Sequence, residues 1–339
     1  AIAFAVMVIV FTRGLIDGMI EDSYSLYIHY DTGHIKIIDQ EYEQKEKLLS
    51  LSYTVNGLKN KSLTEMQQDL NALEGIEMVI PRLKFGAAVS TEEELVKMLA
   101  WGVESEKELE FTNLKRELNE GRMVEAGSRE VVMGSELLNK IDRSVGQKVT
   151  MVYTTAFSSF QGATFEIVGK IESSLPLLNE QLVFMPIDTA QELLYLDSEA
   201  TELLLVTENR DNADDFLPQV KNYLAENGGD RYLAQGWREG NSFIQMLEVS
   251  EKIYFVVYIF LVLLASIVVI NTMVMIVKER TQEIGMMSAL GLKSREIMQL
   301  FIFEGLAMAV IGSFIGSLAG GALNYYLSGV GFDYSAAFE

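Results

Sequence analysis

Few residues of this chain are placed to make or break bonds. The two histidines, His29 and His34, stand five apart, and cysteine is absent. That pair argues against a His-based metal cluster, and the missing thiols exclude disulfides and thiolate metal sites. His34 follows Gly33 at a predicted strand start, where a hydrogen-bonded structural imidazole is expected. No G-x-x-x-x-G-K-[ST] phosphate loop, G-x-S-x-G, H-E-x-x-H or C-x-x-C occurs. The acids of "STEEELVK" and "ESEKELE" read as solvated faces rather than paired catalytic carboxylates. What remains is a run of charge between two apolar stretches, residues 277–297, "VKERTQEIGMMSALGLKSREI". Its chemistry would be mechanical. A short helix starting at Thr281 or the charges before it and ending at Gly291 would carry Ile284, Met287, Ala289 and Leu290 as an apolar contact surface. Charges at both ends would orient it against a partner's groove; the plain alternative is a basic loop lying on lipid. Glu304, two turns into the next apolar stretch, either faces a protein interior or wet cavity or snorkels to the interface.

The flanking elements are membrane spans. Residues 253–277, "IYFVVYIFLVLLASIVVINTMVMIV", run without a charge and as a helix would reach roughly 37 Å, enough to cross with tilt. Residues 297–327 form a second span with small residues at Gly305, Ala309, Gly312, Gly316 and Gly320, one helical face on which a partner helix can approach closely. The opening run 1–12 is short of the ~20 residues a span needs, and Ala stands first where Met would be. It reads as the outer part of a first span, over 1–20, in a chain that is a fragment of a longer protein.

Between these spans the chain is too polar for lipid. Setting aside Arg13 and the four bases of 278–296, acids outnumber bases by 42 to 22 between residues 14 and 277, within a net charge of −21 over 339 residues. Such a balance argues against nucleic acid or an anionic lipid surface as partner of the middle region. Residues 21–250 alternate strand and helix signals and predict an α+β domain, in one piece or two. Strands are expected at 33–38, 76–83 and 201–208, and a helix at 62–73 opened by a Ser62/Glu65 capping box. A strand turns into a helix at Gly134, and Asp188 is placed to cap a further helix. Two β-rich runs face each other across the tip "AFSSFQG" at 156–162, and a helix stops near Gly228–Gly229. Trp101 and Trp237 are expected to pack in this domain. Four Lys and Arg crowd the short loop 278–296, so that loop is expected in the cytoplasm and the large domain outside. The third span then occupies 297–327, and 328–339 begins an external loop.

"ERTQEIGMMSALGLKSREIMQLFIFEGLAMAVIG" resembles the signature of the FtsX-like, MacB-type ABC transporter permeases. The matching residues are Glu279, Arg280, Thr281, Glu283, Ile284, Gly285, Ala289, Leu290, Gly291 and Glu304, with Gln282 replacing a usual Arg. "RGLIDGM", "TGHIKI", "VVMGSELLNKIDRSVGQKVT" and "FEIVGKIESSLPLLNEQLVFMPIDTAQELL" resemble the segments that make that family's periplasmic core domain. The resemblance implies a type VII ABC permease architecture with four spans, of which the fourth is absent from this chain. It implies two permeases per complex and separate ATPase subunits docking on 279–291. ATP and Mg would belong to that partner, with no cofactor or metal in this chain. Lacking a fused ATPase, the chain tilts toward the lipoprotein-releasing LolC/LolE branch of the family. That branch implies a bacterial inner-membrane permease, lipoprotein cargo whose acyl chains enter a cavity between the two permeases lined by the first and second spans, and a periplasmic chaperone. A partner loop would fall on Phe157, Ser158, Ser159, Phe160 and Gln161, in a tip shorter and less proline-rich than that branch's. Two alternatives remain: an efflux permease for hydrophobic compounds or peptides, and a non-transporting subunit that switches on a cell-wall hydrolase.

Overall fold

In the computed structural model, residues 2–91, 94–173, 175–239 and 242–330 are described. Glu92 and Glu93 of the acidic "STEEELVK" run, and most of the expected loop 328–339, lie outside them. The chain divides into two units, residues 26–240 and residues 1–25 with 241–339.

Eight helices matter below: α1 (Ile2–Tyr27), α2 (Leu63–Asn71), α3 (Ser135–Lys140), α4 (Ile187–Leu194), α5 (Ala213–Glu226), α6 (Ser242–Glu279), α7 (Thr281–Ala289) and α8 (Ser294–Val330). The strands are β1 (Ile35–Asp39), β2 (Ile76–Ser90), β3 (Leu95–Val103), β4 (Leu118–Gly121), β5 (Glu130–Gly134), β6 (Lys148–Thr154), β7 (Phe160–Ile171), β8 (Leu182–Pro186), β9 (Glu202–Thr207) and β10 (Tyr232–Gly236).

The unit of 26–240 is built on one mixed sheet in the order β10-β1-β9-β2-β3-β8-β5-β7-β4, with β6 pairing β2 and β7. One continuous sheet answers the question of one piece or two. Alternation decides which faces are wet: β6 reads exposed-buried throughout, as a strand with one covered face must, whereas β1 and β8 are buried along their whole length. The predicted strand at 76–83 runs on to Ser90 despite Pro81. Arg82 turns its carbonyl to Thr201 on the β9 side, so Pro81 faces the other way. There β3 pairing begins only at Arg82↔Val103, and the missing N–H forfeits no ladder bond.

Local signals hold where the physics is local. Ser62 and Glu65 form the reciprocal capping box of α2, and β5 passes into α3 at Gly134. Asp188 is a correction: the residue before α4 is Pro186, without a side-chain cap, and Asp188 sits in the first turn accepting from its neighbour Thr189 N at 2.8 Å. The tip is also shorter than read from sequence, because Phe160 and Gln161 already pair with Thr154 and Tyr153 across the β6–β7 hairpin.

Among the described residues, three helices are long and apolar enough to cross a membrane, over Ile2–Thr32, Phe243–Glu279 and Ser294–Gly329. The first continues past the apolar run through Arg13 and Asp17, which meet one turn apart at 3.3 Å. Phe255, Phe260, Phe303 and Phe314 are each about two-thirds exposed, a surface suited to hydrocarbon and not to water.

Candidate functional site

The 278–296 segment is assembled almost entirely by local backbone bonding. Helix α6 stops at Glu279 and α7 starts at Thr281, so Arg280 alone separates them. At the other end Leu292 N donates to Met287 O and Gly291 N to Ser288 O, with Gly291 at φ +97°. That is a Schellman stop, and the left-handed backbone it needs is why a glycine ends the helix. Lys293 N then donates to the Glu296 carboxylate at 2.9 Å, opening α8.

The expected contact surface is divided by the fold. Ile284 and Met287 are half-buried, while Met286, Ala289 and Leu290 are exposed, Leu290 by 83%. A Cβ added at Gly285 would meet nothing within 4 Å. The outward face of α7 is therefore small at Gly285 and apolar at Met286 and Leu290. Thr281 Oγ1 donates to Lys278 O, and Glu279 and Glu283 lie on the solvent-facing side. Glu304 does not stand alone: its carboxylate takes Arg280 Nη1 at 2.8 and 3.0 Å. Sequence reading placed both residues and missed their pairing, which depends on how α8 returns beside α6.

The small-residue face of α8 finds its partners within this chain. Gly305 faces the Met273 thioether of α6, whereas Gly312, Gly316 and Gly320 face α1 at Ile2–Ala3, at Ala3–Met7 and at Met7–Val10. Ala309 between them is half-buried. Further along, Asn324 Nδ2 donates to Val10 O at 3.1 Å. Between α1 and α6 runs a groove of about 490 Å³ whose walls mix Ile9, Ile16, Ile20, Tyr254, Phe255, Tyr258 and Val262 with the charged Arg13, Asp17, Glu21 and Glu251. Tyr24 donates to Glu251 at 3.1 Å beside it.

The hairpin tip is a tight turn. Thr155 N donates to Ser159 O and Ser158 N to Thr155 O, and Ser158 adopts φ +57°. Phe157 and Phe160 stay 77% and 85% exposed, with Phe157 tilted against Tyr195 at 6.2 Å.

One constellation escaped sequence reading. Arg82 and Glu108 are both fully buried and meet through Nε at 3.1 Å and Nη2 at 2.6 Å, and Nη2 also donates to His29 O. Glu202, opposite Arg82 on β9, is buried with Lys84 Nζ at 2.8 Å and Lys36 Nζ at 3.9 Å. Burial pushes the Glu202 carboxyl above its ordinary range, against the pull of those cations. Burial opposes the Lys36 charge, but Asp31, Glu202 and Glu46 together hold its pKa above the ordinary lysine value. The signal was present as charges set into apolar strands, in "GHIKII", "IPRLKF" and "TELLLV". His34 is structural, its Nδ1 accepting from Thr207 N at 2.9 Å.

Three apolar helices, a short charged helix between the last two and a large mixed-sheet unit define a membrane protein of the permease class. The MacB-like periplasmic core domain model matches residues 1–223 and the FtsX-like permease C-terminal model matches residues 255–339, so the chain belongs to the FtsX-like permeases that carry a MacB-like periplasmic core domain. The lipoprotein-releasing system transmembrane protein LolC of Neisseria meningitidis serogroup B is 24% identical over 200 residues, covering 57% of this chain and 46% of that protein. The macrolide export ATP-binding/permease protein MacB of Bdellovibrio bacteriovorus is 27% identical over 185 residues, covering 49% and 27%. The extracellular domain of the ABC-type transporter YknZ from Gram-positive bacteria aligns at 14% identity with a TM-score of 0.43, over 60% of this chain and 99% of that domain. The chain spans about half the length of the LolC relatives it matches.

Proposed function

We propose that this chain is the permease subunit of an ABC transporter that releases lipoproteins from the bacterial inner membrane toward the outer membrane. ATP is hydrolysed by separate ATPase subunits, which hold the Mg, and a second permease completes the membrane part as a homo- or heterodimer. The observation that carries the reading is the outward face of α7, where Gly285, Met286 and Leu290 lie open on a helix one residue removed from one span and four from the next. An unpartnered apolar face on a short helix between spans suits a motor's docking groove. The four bases that flank it, Lys278, Arg280, Lys293 and Arg295, favour the cytoplasmic side, and the 26–240 unit would then lie in the periplasm.

The energetic task supports the α1–α6 groove as the cargo path. Each acyl CH₂ gains about 0.8 kcal/mol by burial, so lifting two or three chains into water costs tens of kcal/mol. A groove with apolar side chains along part of its wall, leading to a periplasmic chaperone, reduces that exposure, and the exposed rings of Phe157 and Phe160 are where a chaperone would dock. The relation to a macrolide-export MacB favours a second reading, an efflux permease for hydrophobic compounds or peptides.

Replacing Leu290 with Asp tests the docking face. Losing a buried leucine costs about 1.5–3 kcal/mol, so ATPase retention on an affinity-purified complex should fall at least tenfold while the far-UV circular dichroism is unchanged. Retention at wild-type stoichiometry would remove α7 from the interface. Triacylated lipoprotein co-purifying with the wild type supports release; an outer-membrane channel or adaptor in its place supports efflux.

A further inference from the structure

We infer that the Arg280–Glu304 ion pair is the pin that transmits movement of α7 to α8 and through it to α1. This rests on the docking role proposed for α7 and adds the residues that carry its motion inward.

The junction before α7 is a single residue wide, and the helical ladder crosses it almost unbroken. Arg280 N donates to Ile276 O at 3.1 Å and Ile284 N to Arg280 O at 3.0 Å. Such a junction can flex without unravelling, and residues 290–293 tie α7 only to the start of α8. The side chain of Arg280 reaches further in. Glu304 lies ten residues into α8, roughly 15 Å along its axis. Both its oxygens take the same guanidinium nitrogen, at 2.8 and 3.0 Å.

The surroundings make this contact strong and directional. Glu304 lines an apolar cavity of about 510 Å³ among α6, α7 and α8, with Met273, Ile284, Ser288, Phe301 and Met308. Attraction between the charges is stronger beside such walls than in water, and an acid left alone there would be costly. The next residue, Gly305, meets Met273 of α6, so α6 and α8 are in close contact at the level of the pair. Two turns beyond, α8 lays Gly312, Gly316 and Gly320 against the backbone of α1. A push on α7 therefore moves Arg280, Arg280 moves Glu304, and the glycine face carries the displacement into α1, one wall of the groove proposed for cargo. Arg280 and Glu304 are positioning residues; neither touches nucleotide or cargo.

The chain has no cysteine, so spin labels at Leu290→Cys and Leu306→Cys, both exposed positions, report the α7–α8 distance without background. In proteoliposomes the wild-type pair should give one narrow distance distribution. Glu304→Gln should broaden it at least twofold, and the reversed pair Arg280→Glu with Glu304→Arg should narrow it again. Restoration by reversal separates a pin from a residue that only fills space. In the unlabelled protein, with Leu290 and Leu306 intact, ATPase bound and a triacylated lipoprotein as cargo, Glu304→Gln should also lower lipoprotein released per ATP hydrolysed at least tenfold. An unchanged distribution in Glu304→Gln, or reversal that fails to narrow it, would overturn the pin, as would unaltered release per ATP. If the distances behave as stated and the wild type releases no lipoprotein, the pin stands and the proposed cargo falls.

Discussion

The contact of α8 with α1 is the most exposed to a quantitative test, because neighbouring glycines of the same helix answer differently. A Cβ at Gly316 would lie 2.8 Å from Val6 Cβ and 3.0 Å from Met7 N, and closer still to Ala3 O. Carbon pairs rest near 3.5–4.0 Å, so an alanine there must push the helices apart by roughly 1 Å. A gap of that size forfeits about a quarter to a half of each nearby dispersion well, and overpacking costs about 1–3 kcal/mol. A Cβ at Gly321 would meet nothing within 4 Å. Both substitutions gain the same helix propensity, about 1 kcal/mol, so the difference between Gly316→Ala and Gly321→Ala isolates the steric part at about 1–3 kcal/mol. Denaturant titration of each variant in detergent micelles, followed by far-UV circular dichroism, measures it. Gly321→Ala should be neutral or stabilising and Gly316→Ala destabilising relative to it. Coincident unfolding curves would mean that α1 does not lie against α8 at this level, and the route from α7 to α1 would fail with it.

Two further outcomes concern the mixed-sheet unit. Glu108→Ala should cost about 3–5 kcal/mol because it strands a fully buried Arg82 charge, whereas Arg82→Met with Glu108→Leu should recover most of the loss. The fluorescence of Trp101, whose ring lies 4.8 Å from the Arg82 guanidinium, reports the transition, and equal losses in the single and double variants would contradict the argument. Burial holds the His34 imidazole down at about 4, against an ordinary value of 6.5. As pH falls the unfolded chain takes up that proton first, so the contribution of His34 is complete above about 6.5 and is lost progressively toward 4. It amounts to at most about 3 kcal/mol. In His34→Gln the slope of stability between those pH values should flatten relative to wild type, and identical slopes would refute it.

Much of the molecule was legible residue by residue. The two long apolar runs, the capping box at Ser62 and Glu65, the strand-to-helix change at Gly134 and the glycine stop at Gly291 each depend on neighbours a few positions away. Family resemblance read from 279–291 and from the core segments agrees with the two family models. Asp188 misled because Pro186 sets the backbone entry to α4, and the strand expected at 76–83 runs on to Ser90 because the side of a strand that needs a donor is known only once its neighbours are placed.

The sequence by itself determined which stretches enter hydrocarbon, where short helices start and stop, and that a large acidic α+β unit separates the first span from the second. Those properties follow from hydropathy, backbone conformation and capping, all of which act over one or two turns. Tertiary structure alone decided that Arg280 meets Glu304, that Gly312, Gly316 and Gly320 serve α1, and that Arg82, Glu108 and Glu202 are buried together. Each joins residues between 24 and about 310 positions apart, and such meetings depend on which helix faces and strand edges the whole chain brings together.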